Sequence, residues 1–154
     1  MALIDALFEF SDAQALRATA SATYCLDLQK TDLELGGGNP VYLNVRVATE
    51  LDSATDTATL TIALVNEADT TIDGTSTVIM QTHAIPEASC TAGAWLWRVA
   101  LPVDMDRDWG ANSGRYLGLY YTVAGEDFTS GNIDAWFDLG PQSSYDLQVS
   151  PSNI

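Results

Sequence analysis

Residues 115–139 read RYLGLYYTVAGEDFTSGNIDAWFDL, framed by Gly114 and Gly140. Leu117, Leu119, Tyr121 and Val123 alternate with Tyr116, Gly118, Tyr120 and Thr122. After AGEDFTSG the alternation resumes, with Ile133, Ala135, Phe137 and Leu139 on one side and Asn132, Asp134, Trp136 and Asp138 on the other. A period of two over this length predicts two half-buried strands. Gly125, Ser130 and Gly131 favour a turn between them. The simplest reading is an antiparallel hairpin.

The same pattern extends outward from this stretch. Leu43, Val45 and Val47 alternate with Tyr42, Asn44 and Arg46 across a strand at 41–47. Leu60, Ile62 and Leu64 mark a second strand at 58–65, and shorter strands fit 24–28 and 78–82. In 94–101, Trp95, Trp97, Val99 and Leu101 share one face, and Leu96, Arg98 and Ala100 the other. Acidic or threonine-rich loops are expected at 50–57 and 66–77, and Gly36 to Pro40 breaks the chain. About seven or eight short strands with no long helix predict an all-β single-domain β-sandwich. The long, uneven loops favour a jelly roll or Greek key. The expected organisation is an extended N-terminal arm over 1–22 with at most one helical turn, a jelly-roll β-sandwich over 23–140, and an extended C-terminal tail over 141–154.

Composition narrows the function. The chain has 154 residues, one domain's worth. Six Lys and Arg against 21 Asp and Glu leave a net charge of −15. That argues against nucleic acid, which needs clustered cations, and against anionic lipid. It favours solubility, or a partner with a basic face. No stretch is long and apolar enough to span a membrane. The segment MALIDALFEFSD lacks the basic region of a secretory signal, so synthesis in the cytoplasm is expected. Cys25 and Cys90 are read as reduced thiols, with no spacing signal for a disulfide.

Candidate chemistry is sparse. His83 is the one histidine and has no obvious partners for a metal site or a triad. Asp104, Asp106 and Asp108 precede Gly110, but the glycine falls late for a calcium loop and Arg107 intrudes, so a solvated acidic loop is expected. Asp134 and Asp138 would lie about 13 Å apart at about 3.3 Å per residue, too far for a glycosidase pair. No enzyme, cofactor or metal is predicted. The outward set is more informative. Tyr42, Arg46, Leu96, Arg98, Tyr116, Tyr120 and Trp136 oppose the aliphatic rows, and aromatic residues and arginine are enriched in interfaces. Leu3, Leu7, Phe8 and Phe10 of the arm also need a surface to cover them. Either a second sheet or an arm of the same chain covers these residues, or they form a subunit contact; the candidate interface on the second reading is Leu3, Leu7, Phe8, Phe10, Tyr42, Arg46, Arg98, Tyr116, Tyr120 and Trp136. Arg46 and Arg98 are expected to pair with Asp134 or Asp138 across strands.

The ordered segments LFEFSDAQALRATASAT (7–23), PVYLNVRV (40–47), ATLTIAL (58–64), HAIP (83–86), RVALP (98–102) and the 115–139 stretch resemble the capsid cement, or decoration, proteins of some tailed bacteriophages. The acidic insert before Arg115 and the tail after Leu139 are longer than in that family. The resemblance implies a jelly roll on the outer surface of an icosahedral phage head, with no catalytic residues. It implies that the major capsid protein is the partner, that self-association gives a homodimer rather than a homotrimer, and that the terminal arms reach neighbouring subunits. The other class considered is a carbohydrate-binding jelly roll of a fibre or tail, with Trp95, Trp97, Trp136 and Tyr120 as a stacking platform.

Overall fold

The computed structural model describes residues 6–28, 40–101 and 114–139. A 3-10 turn at Ala6–Phe8 leads into ten strands. They are β1 (Glu9–Ala15), β2 (Ala20–Ser21), β3 (Leu26–Asp27), β4 (Tyr42–Ser53), β5 (Thr59–Glu67), β6 (Thr77–Gln81), β7 (Ile85–Pro86), β8 (Trp95–Ala100), β9 (Tyr116–Ala124) and β10 (Phe128–Asp138). One sheet has the order β1-β10-β4-β8, and the other has β2-β9-β5-β6, with β3 beside β9 and β7 beside β5. Every pairing is antiparallel. A four-stranded and a six-stranded layer in this order, with most connections passing between layers, make a jelly-roll β-sandwich.

The core lies between the layers. Leu43, Val45 and Val47 of β4 and Ile133, Ala135 and Phe137 of β10 come from one sheet; Leu60, Ile62 and Leu64 of β5 and Leu117, Leu119 and Tyr121 of β9 come from the other. All are buried, as the period of two requires. Each large side chain contributes about 1.5–3 kcal/mol by leaving water.

The expected hairpin is not formed. β9 pairs with β5, and β10 pairs with β4 and β1. The residues between β9 and β10 instead arch from one sheet to the other. The connection from β4 to β5 makes the same crossing beside it. The two are tied together where Glu126 Oε2 accepts the Thr55 N–H at 2.9 Å and its hydroxyl at 2.7 Å. Gly125 has φ +86°, and a Cβ there would lie 2.5 Å from the Thr57 carbonyl oxygen. A hairpin and an arch share the same alternation, since in both the apolar face turns inward.

Two other boundaries differ from expectation. β4 continues to Ser53, through residues read as a loop, because Leu51 and Ser53 turn inward against Phe128 and Glu87. The segment read as an arm supplies an edge strand: β1 pairs with β10, and Phe10 and Leu16 enter the core. β1 is bulged twice along this pairing, and Ala13 takes a positive φ of 43°. Alanines and hydroxyl residues hid it, because a bulge breaks the period of two.

Candidate interaction surfaces

The outer face of the β1-β10-β4-β8 sheet carries most of the expected outward residues. Register sets three rows across β10, β4 and β8. Asp138 lies opposite Tyr42, and Tyr42 opposite Ala100. Trp136, Asn44 and Arg98 form the next row. Asp134, Arg46 and Trp95 form the third, so Asp134 and Arg46 are direct cross-strand neighbours of opposite charge.

Trp95 reaches this face through an irregularity. The β4–β8 register shifts between Val45 and Arg46, leaving Leu96 extra. Trp97 stays opposite inward-facing Val45, while Trp95 is turned outward. Trp95 then meets Trp136 with ring centroids 5.8 Å apart and planes tilted by 57°. The Arg98 guanidinium carbon stands 4.9 Å from the Trp95 ring centroid, a cation–π contact. The expectation of Trp95 and Trp97 on one face fails on this bulge.

Trp136, expected to be exposed, is only 1% exposed, and Asn44 is fully buried. Trp136 Nε1 and Asn44 Oδ1 are buried without a hydrogen-bond partner, which costs about 1–3 kcal/mol per group. Phe10 is likewise core: it meets Phe137 edge-on at 4.8 Å between centroids. Neither Phe10 nor Trp136 can serve as an exposed contact residue. Leu7 and Phe8 are exposed; Leu3 lies outside the described residues.

Tyr116 and Tyr120 sit on the opposite side of the sandwich. They point outward from β9, and the segment after β5 folds back over them. A Cβ on Gly118 would lie 2.6 Å from Ile72 Cγ1, and one on Gly74 would lie 3.4 Å from the Tyr120 hydroxyl. Arg115 lies 5.5 Å from the Tyr116 ring and makes a bidentate pair with Asp27. That pairing raises the Arg115 pKa, but both partners are solvated and the bridge adds little stability. The residues expected to form one interface are thus divided between two opposite faces.

The same geometry disassembles the sugar platform. Trp136 is buried, Trp97 packs against the core, and Tyr120 is on the other sheet from Trp95. Four rings on three surfaces cannot stack on one sugar chain.

Asp52, Asp56 and Glu87 converge closely enough to suggest metal ligands, but both Glu87 oxygens already accept from Ser53, one from its N–H and one from its hydroxyl. Asp104, Asp106 and Asp108 lie outside the described residues. His83 is exposed. Cys25 and Cys90 are free thiols, and burial pushes the Cys90 pKa up to about 11. Among the described residues no helix is long and apolar enough to cross a membrane.

The family model Bbp16 matches residues 10–137, from the buried phenylalanine of β1 to the last core residue of β10. The chain belongs to the Bbp16 family. The match takes in every strand of the sandwich. A search of curated proteins finds no match. The Bbp16 assignment therefore rests on the jelly roll itself and leaves Leu7, Phe8 and Leu139 outside the matched span.

Proposed function

We propose that this chain is a non-enzymatic capsid cement protein of a tailed phage. It binds the outer surface of the icosahedral head and bridges major capsid subunits, which stabilises the expanded shell. The Bbp16 name suggests a phage-related family, which supports a structural role in the particle. The observation that carries the proposal is the coincidence of three spans. The segments that resemble cement proteins, the Bbp16 match and the strands of one jelly roll all cover the same residues.

The mechanism is linkage. A protein that binds only the assembled, expanded shell stabilises it by mass action, and repeated contacts around a closed shell add by avidity. We place the working form as a homodimer, because two linked copies can hold two neighbouring capsid subunits. No nucleophile–base pair is needed, nor a cofactor. The chain is made in the host cytoplasm and resides on the outer capsid surface.

The test is quantitative mass spectrometry of purified virions. The expected result is a copy number equal to that of the major capsid protein or a simple fraction of it. A handful of copies per particle would assign the chain to a tail or fibre, and absence from the particle would overturn the proposal.

A further inference from the structure

Five large hydrophobic side chains are exposed among the described residues: Leu7, Phe8, Tyr24, Val78 and Leu139. Four of them gather at one end of the sandwich. Glu9, the first residue of β1, pairs with Trp136, two residues before the end of β10, and Leu139 directly follows that strand. The 3-10 turn holding Leu7 and Phe8 packs on β10. The Tyr24 N–H donates to the Phe10 carbonyl at 3.0 Å, which puts Tyr24 on the other flank of β1. Leu7 is 78% exposed, Leu139 73%, Tyr24 55% and Phe8 42%, and clustered exposed apolar side chains mark interaction sites.

An acidic border runs beside this patch. Glu9, Asp12 and Asp134 lie close enough to raise the Glu9 pKa, after the larger effect of its partial burial. Asp134 also accepts the Ala13 N–H at 2.7 Å, which fixes its carboxylate beside the bulge. Arg46 stands opposite Asp134 on β4 and offsets that charge, while Arg17 is tied to the Leu16 and Gly131 carbonyls at the other end of β1, so Glu9 and Asp12 keep the border acidic.

We infer that the β1 start and β10 end form the docking surface for the shell, and that the surface it meets is basic and carries apolar pockets. The inference rests on the cement reading and names the contact within it. Charge decides the occupant. A second copy meeting this patch about a two-fold axis would bring Glu9 and Asp12 against themselves. A basic protein surface would neutralise them while covering Leu7, Phe8 and Leu139, with apolar anchors supplying affinity and the charged border steering approach.

The test is co-sedimentation of the full-length chain with phage shells stripped of it. The variants are Phe8→Ser/Leu139→Ser, Asp12→Lys, and Val78→Ser as an exposed apolar control on the β6 edge. Thermal melts of each variant establish that it is folded. The double variant is expected to bind about tenfold more weakly or worse, as loss of an apolar anchor does. Asp12→Lys binds more weakly and with less salt dependence, and Val78→Ser binds as wild type. Wild-type binding by the folded double variant, or an equal loss in Val78→Ser, overturns the docking surface alone. Failure of the wild-type chain to bind overturns the docking surface and the cement reading together.

Discussion

The Ser11 hydroxyl on β1 lies 2.9 Å from the Tyr121 hydroxyl on β9, a buried polar contact joining the two sheets through the core. Its direction follows from the next bond. Ser11 donates its one proton to Gln14 Oε1 at 2.7 Å, so Tyr121 must donate to Ser11. Gln14 also accepts the Thr23 N–H and donates to the Ser21 carbonyl, both at 2.9 Å. One directed chain therefore pins the edge strand to the opposite layer.

That direction predicts an asymmetry. Ser11→Ala strands the buried Tyr121 O–H and should cost about 1–3 kcal/mol. Tyr121→Phe leaves Ser11 still donating to Gln14 and should cost only about 0.5–1.5 kcal/mol. The double variant should be less destabilised than the two losses summed. Urea denaturation of the four proteins measures all three quantities. Equal costs for the single variants, with full additivity, would show that the contact carries no directed bond.

Glu9 predicts a pH dependence. Burial, then Asp12 and Asp134, raise its folded pKa above the ordinary 4.5. Between those values the folded state holds the proton more tightly than the unfolded chain. Stability from this group therefore falls as pH rises from about 4.5 through the folded value. Glu9→Gln should raise Tm at pH 7, and the gain should close as pH approaches 4.5. A gain that is constant from pH 4 to pH 8 would rule out this electrostatic origin.

Gly118 and Ile72 give a packing prediction. The Ile72 side chain occupies the space that a Cβ on residue 118 would need. Gly118→Ala should displace the segment between β5 and β6 and cost about 1–3 kcal/mol, typical of overpacking. Adding Ile72→Ala should recover part of that loss, whereas Ile72→Ala alone should be mildly destabilising. The sign of the coupling in denaturation experiments is the readout.

The layers of this fold were legible because the inward rows of β4, β5, β9 and β10 keep a strict period of two. The winding was not legible. Leu117 to Val123 and Ile133 to Phe137 present the same alternation whether the chain turns back within a sheet or arches across to the other. The pairing of β9 with β5 and of β10 with β4, made between residues distant in sequence, shows which occurs, and the tie between Glu126 and Thr55 fastens the arch. The candidate surface failed for a related reason. Alternation assigns a side chain to one face or the other, but it cannot say that Tyr116 and Trp136 belong to opposite sheets. A single extra residue at Leu96 turned Trp95 from the inner row to the outer one. Val78 and Leu139 are exposed by their place at a sheet edge and a strand end, which alternation does not report.

Phe8 and Phe10 test the division between core and contact surface within three residues. Both belong to one apolar run, but Phe10 is 1% exposed and packs edge-on against Phe137, whereas Phe8 is 42% exposed. Phe10→Ala removes a buried ring and should cost about 3–5 kcal/mol. It should also release β1 from β10, seen as faster amide exchange along Glu9 to Ala15. Phe8→Ala should change stability by no more than about 0.5 kcal/mol, as surface substitutions do. On assembled shells the order should depend on temperature. Phe10→Ala should bind nearly as wild type where it remains folded and fail as it melts, whereas Phe8→Ala should bind weakly at every temperature. If Phe8→Ala destabilises the free chain as much as Phe10→Ala does, then the 3-10 turn is part of the core and its apolar residues are not held out for a partner.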